Sequence, residues 1–212
     1  MAESRNTTSR KEPSQDRSKK MVEKIFSATR ILLINDGVEG VTTGKIAKQA
    51  GISVGSLYQY FPNKLAVLKA MYQSWLDEVI SELEALSAFP SMTTDQFLAA
   101  LPGFLDSFYS EESYQSSSDD RQYELELVKG MRLFKELQEI DDRHQERVAE
   151  VLADGLEKVF THQPREKLIQ VGIYLYYLNN AFDELMEYEK IDPEVLLAPH
   201  KEAIIAVVRA LA

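Results

Sequence analysis

The stretch that decides the fold is Val41–Lys64, VTTGKIAKQAGISVGSLYQYFPNK. Thr42 and Thr43 offer hydroxyls where a helix begins, and an oxygen there satisfies a backbone N–H that the first turn leaves unpaired. Ile46, Ala47 and Ala50 then form a short apolar stripe at helical spacing. Two helices meeting near a right angle need a small residue at their contact and a turn residue that accepts positive φ. Ala47 and Gly51 meet those two demands. Ile52, Val54 and Leu57 anchor the second helix, while Ser53, Gly55, Ser56, Tyr58, Gln59 and Tyr60 point elsewhere. A face of small, hydroxylic and amide side chains suits a helix lying in a DNA major groove, touching base edges and phosphates. The spacing predicts a helix-turn-helix.

On its N-terminal side, Val22, Ile25, Phe26, Thr29, Leu32 and Leu33 recur at helical spacing, which predicts an amphipathic helix ending near Gly37. On the other side Pro62 ends the second helix of the pair, and Asn63 is placed to cap the next. That next helix carries Leu65, Leu68, Tyr72, Trp75, Val79, Leu83 and Leu86. From Lys64 to Leu86 it extends about 33 Å at 1.5 Å per residue, enough to lead from one domain into another.

The run G-x-x-x-x-T-T-x-x-I-A-x-x-A-G-I-S-x-G-S-L-Y-x-Y-F-x-x-K-x-x-V-L, from Gly37 to Leu68, resembles the DNA-binding domain of the TetR family of transcriptional repressors. By motif position the resemblance assigns Thr43, Ser53, Val54, Gly55, Ser56, Tyr58, Gln59, Tyr60 and Lys64 to the DNA surface. Phenol hydroxyls and an ammonium at a helix start suit phosphates, which assigns Tyr58, Tyr60 and Lys64 to the backbone. Ser56 and Gln59 are better placed for base edges, since a glutamine amide binds adenine bidentately. Val54 departs from the family, many members of which carry a polar residue there; it either meets a thymine methyl or only packs. The resemblance further implies an all-α chain of about nine helices, a homodimer through the last two, and an effector cavity among the fifth to eighth. It implies a helix-turn-helix domain over residues 19–66 and an effector-binding and dimerisation domain over 67–212.

The charge distribution agrees. The net charge of −10 argues against a nucleic-acid partner until it is divided by position. Residues 1–75 hold 12 Lys+Arg against 6 Asp+Glu, and the remainder 12 against 28. That asymmetry aims the basic end at phosphate and keeps the acidic end away. With no cysteine there is neither a disulfide framework nor a thiolate metal site. No 18-residue apolar run and no N-terminal apolar segment occurs, so no membrane span or signal peptide is expected, and a cytoplasmic location is.

Residues 1–18 are polar and expected to be disordered. Beyond the break at Phe89-Pro90-Ser91, Thr94 is the expected cap of a fifth helix, with Pro102 inside it as a kink. Residues 110–120 read as a polar surface loop, followed by helices over about 121–137, 141–160, 165–189 and 192–211. The helix over 165–189 is apolar on more than half its circumference and the last one is broader than one stripe, which fits a subunit interface. Phe104, Phe108, Tyr123, Phe134, Tyr174, Tyr177 and Phe182 are the candidate lining of a small, mostly apolar effector site. Arg132 would favour an anionic group there and Asp183 or Glu184 a cation, which leaves the effector's charge open.

His144, His162 and His200 lie far apart, and no nucleophile elbow, P-loop or zinc-protease motif occurs, so neither an enzyme nor a metal or other cofactor is expected. The expected function is a homodimeric repressor that binds a pseudo-palindromic double-stranded operator and is released by a small effector. The alternatives are a ligand-independent or architectural DNA-binding protein and, less well supported, an enzyme on a helical scaffold.

Overall fold

The computed structural model describes residues 13–87, 92–109, 118–186 and 192–212. Among these residues the chain is all-α, as expected, with nine helices: α1 Pro13–Gly40, α2 Thr43–Gln49, α3 Val54–Tyr58, α4 Lys64–Leu86, α5 Thr94–Phe108, α6 Ser118–Leu133, α7 Lys135–Glu157, α8 Arg165–Met186 and α9 Pro193–Arg209.

The described chain divides into two compact units, the first comprising residues up to Met71 together with Ser118–Gly130, the second Tyr72–Ser117 and Met131–Ala212. The unit built on the helix-turn-helix thus takes in a stretch of α6 that sequence reading assigns to the other domain. Nothing local announces this, because the ties that bring it there join residues roughly ninety positions apart, as between Arg30 and Asp120.

In the first unit Ile25, Leu33, Ile46, Leu57, Leu68 and Leu127 are almost wholly buried. Each fully buried aliphatic side chain contributes roughly 1.5–3 kcal/mol toward ordering this small body. Thr29, on the apolar face of α1, is also buried and returns its hydroxyl to the carbonyl of Ile25 at 2.8 Å, so its polarity is satisfied within the helix. Phe26 and Phe61 bring their rings within 6.0 Å.

The second unit has its core among α5, α7, α8 and α9, where Phe97, Leu101, Leu105, Leu156, Phe160, Leu168, Phe182, Ile205 and Val208 pack together. Phe97 meets Phe160 edge to face. Gly172 of α8 lies so close to α7 that a Cβ there would come within 2.7 Å of the Ala149 carbonyl oxygen. Tyr72 is buried and donates to Asp141 Oδ1 at 2.6 Å; burial first, then this carboxylate, pushes its phenol far above the ordinary range.

Several boundaries differ from expectation. Helix α1 begins at Pro13, so residues 13–18 are helical; a proline's missing N–H and fixed φ suit a first helical position. Residues 1–12 and 110–117 lie outside the described part. Thr93, not Thr94, caps α5, through a capping box with Gln96, and Thr94 instead donates to the Val159 carbonyl at 3.0 Å. The break between α6 and α7 falls at Phe134, whose backbone is extended. Leu137 and Ile140 are buried on the same face of α7 as His144, Val148 and Val151, and that tertiary burial carries the helix upstream of its expected start.

Candidate nucleic-acid interface

The α2–α3 corner is built as its sequence requires. Thr42 caps α2 by accepting from Lys45 N, and Ser53 caps α3 by accepting from Ser56 N at 3.0 Å. Between them Gly51 takes φ +59, and Ile52 N returns to the Ala47 carbonyl at 3.0 Å. Ala47 is buried, as a residue at a close helix contact must be.

Leu57 alone of α3 is fully buried and pins the helix to the core. Val54, Gly55, Tyr58 and Gln59 are exposed, Ser56, Tyr60 and Thr43 partly so. Val54, expected among the anchors, is 41% exposed, so it is part of the outer face rather than of the packing. The Thr43 hydroxyl and the Tyr58 phenol are 3.4 Å apart, which joins the starts of α2 and the end of α3 on one polar surface. Ser53 and Ser56 bring their hydroxyls within 2.8 Å of each other. Lys64 is less free than its motif position suggests, for its ammonium donates to the Val38 carbonyl at 3.1 Å.

Residues 25–71 match the model of the bacterial regulatory proteins of the tetR family. Over these residues the chain is similar to the tetR-family regulators. A nucleoid occlusion factor, SlmA, from Actinobacillus pleuropneumoniae serotype 5b (strain L20) is 42% identical over 43 residues, which is 20% of this chain and 21% of that protein. Curated relatives are matched over only 21 to 33% of their own length. Across the whole fold, a TetR-family transcriptional regulator from Streptomyces coelicolor superposes with a TM-score of 0.62 at 19% identity, covering 92% of this chain and 98% of its own. NalD, the secondary repressor of the MexAB-OprM multidrug efflux pump in Pseudomonas aeruginosa, does so with a TM-score of 0.59 at 17% identity, covering 90% and 97%. Identities this low establish the shared fold.

Of the candidate effector residues, Phe104, Phe108 and Phe182 come together around Tyr109, whose ring lies 4.8 Å from Phe108 and 6.0 Å from Phe182. Phe104 and Phe108 stack at 6.5 Å on α5, and Phe182 is buried, with its ring 4.1 Å from and nearly parallel to His200. Tyr174 and Tyr177 are each 55% exposed on α8, Tyr177 donating to Gln145 Oε1 at 2.9 Å. Phe134 is half-buried at the start of α7, and Tyr123 belongs to the first unit, where the Arg30 guanidinium lies 4.4 Å above its ring. A groove of about 370 Å³ does open beside α5 and α9, lined by Pro102, Asp106, Leu197, Lys201 and Ile205, none of them in the expected set. Arg132 and Glu184, expected to favour opposite effector charges, pair with each other at 3.1 Å on the surface.

Sequence reasoning missed that Tyr109 and His200, both buried, meet half-buried Asn179 in a polar knot in this unit. Tyr109 donates to Asn179 Oδ1 at 2.7 Å, and its oxygen is 2.9 Å from His200 Nε2. Having spent its one proton on Asn179, the phenol accepts from a protonated Nε2. Burial raises the Tyr109 phenol above its ordinary range and lowers the His200 imidazole. Spacing along the chain carries no sign of such a knot. Among the described residues no group of three His, Asp or Glu could hold a metal ion, and no helix is long and apolar enough to cross a membrane.

Proposed function

We propose that this chain is a member of the TetR family and a cytoplasmic, homodimeric, ligand-responsive transcriptional repressor acting on a pseudo-palindromic double-stranded operator. The observation that carries the DNA reading is α3, held by buried Leu57 while Val54, Gly55, Tyr58 and Gln59 face outward from the basic end of the chain. Thr43, Ser53, Ser56, Tyr60 and Lys64 complete the proposed surface, the hydroxyls and the ammonium toward phosphate and Gln59 toward a base edge. Two such helices spaced about one turn, ~34 Å, apart would enter successive major grooves. The dimer reading rests on α8 and α9, which leave Tyr174, Tyr177, Leu185 and Val195 exposed.

The test is selection by the purified protein from a random-sequence duplex library, followed by sedimentation and by operator release against a metabolite library. Enrichment of an inverted repeat by a dimer that one metabolite releases is the expected result; enrichment of no sequence overturns the DNA reading. A second reading, a ligand-independent DNA-binding protein of the same fold, is favoured by the exposure of Tyr174 and Tyr177, which as monomer surfaces enclose nothing. Release by no compound, with a sequence still enriched, would favour it.

A further inference from the structure

At Gly37 the backbone of α1 turns to φ 68 and ψ 166, a region open in practice to glycine alone. The turn takes the N–H of Val38 off the ladder of α1, and Val38 is only 1% exposed, so this donor has no water to fall back on. Glu126 of α6 supplies the acceptor: its Oε2 lies 2.6 Å from Val38 N. A charged acceptor makes this bond short and strong. Glu126 is one of the few buried charged residues, 8% exposed, and its other polar neighbours are more distant, with Gln122 Nε2 at 3.5 Å and Lys129 Nζ at 3.8 Å from Oε1. A Cβ at position 37 would stand 3.2 Å from Oε2, so the close approach as well as the φ angle calls for glycine.

The rest of the connection is held in the same manner. Val38 O accepts from Lys64 of α4, and Gly40 O accepts at 2.9 Å from Lys45 of α2, which also pairs with Asp36 at 2.8 Å. Side chains from three separate helices thus grip the last residues of α1, ahead of the cap of α2. Two further ties bring the Glu126 carboxylate to its place: Arg30 of α1 pairs with Asp120 and lies over the ring of Tyr123, both on α6.

We propose that Glu126 is a positioning residue for DNA recognition. It touches no DNA; by fixing the Val38 peptide it sets the angle at which the α2–α3 pair leaves α1, and so the pose of the recognition helix. This rests on the DNA-binding reading above. A misdirected helix still meets phosphates with the same charges but loses its register on base edges, so specific binding falls while non-specific binding persists.

The probe is the duplex that wild-type full-length protein enriches from a random-sequence library, with calf-thymus DNA as the non-specific control. Glu126→Ala is expected to bind the enriched duplex roughly tenfold more weakly, the scale of a lost hydrogen bond to a charged group, with calf-thymus affinity unchanged. Glu126→Gln, which keeps an acceptor oxygen in the same position, should restore most of the specific affinity. Equal binding of the enriched duplex by Glu126→Ala and wild type overturns the proposal, as does a parallel loss on both DNAs with no rescue by Gln. If Glu126→Ala does not fold by circular dichroism, Glu126→Asp decides, its carboxylate being withdrawn by one methylene: selective loss on the enriched duplex supports the proposal and wild-type affinity overturns it. Failure of the wild type to enrich any duplex would instead overturn the DNA reading, a result distinct from any difference among the variants.

Discussion

Gly172 offers a sharp test of the packing that joins α7 to α8. In a helix interior, replacing glycine by alanine ordinarily stabilises by about 0.5–1 kcal/mol, because the unfolded chain loses freedom. At Gly172 the added methyl would meet Ala149 at 2.7 Å from its carbonyl oxygen and 3.0 Å from its Cα, and these are backbone atoms that cannot swing away. Forcing a methylene into a filled core costs about 1–3 kcal/mol, and a backbone obstacle places this site in the upper part of that range. The net expectation for Gly172→Ala is a loss of about 1–2 kcal/mol, or a Tm lower by roughly 2–8 °C for a chain of this size. Gly103, exposed on α5, has nothing within 4 Å of its would-be Cβ, so Gly103→Ala should raise Tm by about 1–4 °C. The assay is thermal unfolding by circular dichroism at one fixed protein concentration, since self-association makes Tm depend on it. Two glycine-to-alanine changes within helices must therefore act with opposite sign. A Gly172→Ala protein that melts at or above the wild type would refute the close approach of the two helices.

Gln59→Ala is expected to relax sequence preference at one position per half-site, by about 1–3 kcal/mol there, measured on a panel of base-substituted duplexes; uniform weakening across the panel would move Gln59 from base edge to backbone. Ala206 is exposed on α9, and Ala206→Glu should shift sedimentation at micromolar concentration from dimer to monomer by burying an unpaired carboxylate against its symmetry mate; a wild type that sediments as a monomer would sink that reading outright. His200 and His144 both have pKa values lowered by burial from the ordinary 6.5, so as pH falls below that value the unfolded chain binds protons first and stability declines toward the lowered folded values. His200→Phe should accordingly flatten the fall of Tm between about pH 7 and pH 5, and an unchanged slope would show that His200 takes up its proton equally in the folded and unfolded chain.

How far the sequence could be read depended on the range of the interactions involved. Thr42, Ala47, Gly51 and Leu57 were legible because caps, turns and helix stripes are written within a few residues of one another. Val54 was read both as an anchor and as part of the DNA surface, because period alone cannot tell which of two apolar side chains on a five-residue helix reaches the core. Thr93 and Thr94 are both plausible caps, and the choice went to Thr93 because Gln96 closes its box while the Val159 carbonyl engages Thr94. Arg132 and Glu184 looked like rival ligand groups until α6 and α8 were seen to bring them into a pair.

The sequence by itself determined the helical class, the corner between α2 and α3, the polar outer face of α3 and the separation of a basic end from an acidic remainder. These follow from local periodicity, from the conformational freedom of Gly51 and from summed charge, none of which needs a distant partner. Only the tertiary structure decided that Ser118–Gly130 belongs with the helix-turn-helix, that Gly172 lies against Ala149, and that Glu126 takes the N–H which Gly37 releases. Each of those joins residues far apart in the chain through a fit of backbone to side chain, and a fit of that kind comes into being only when the helices have packed.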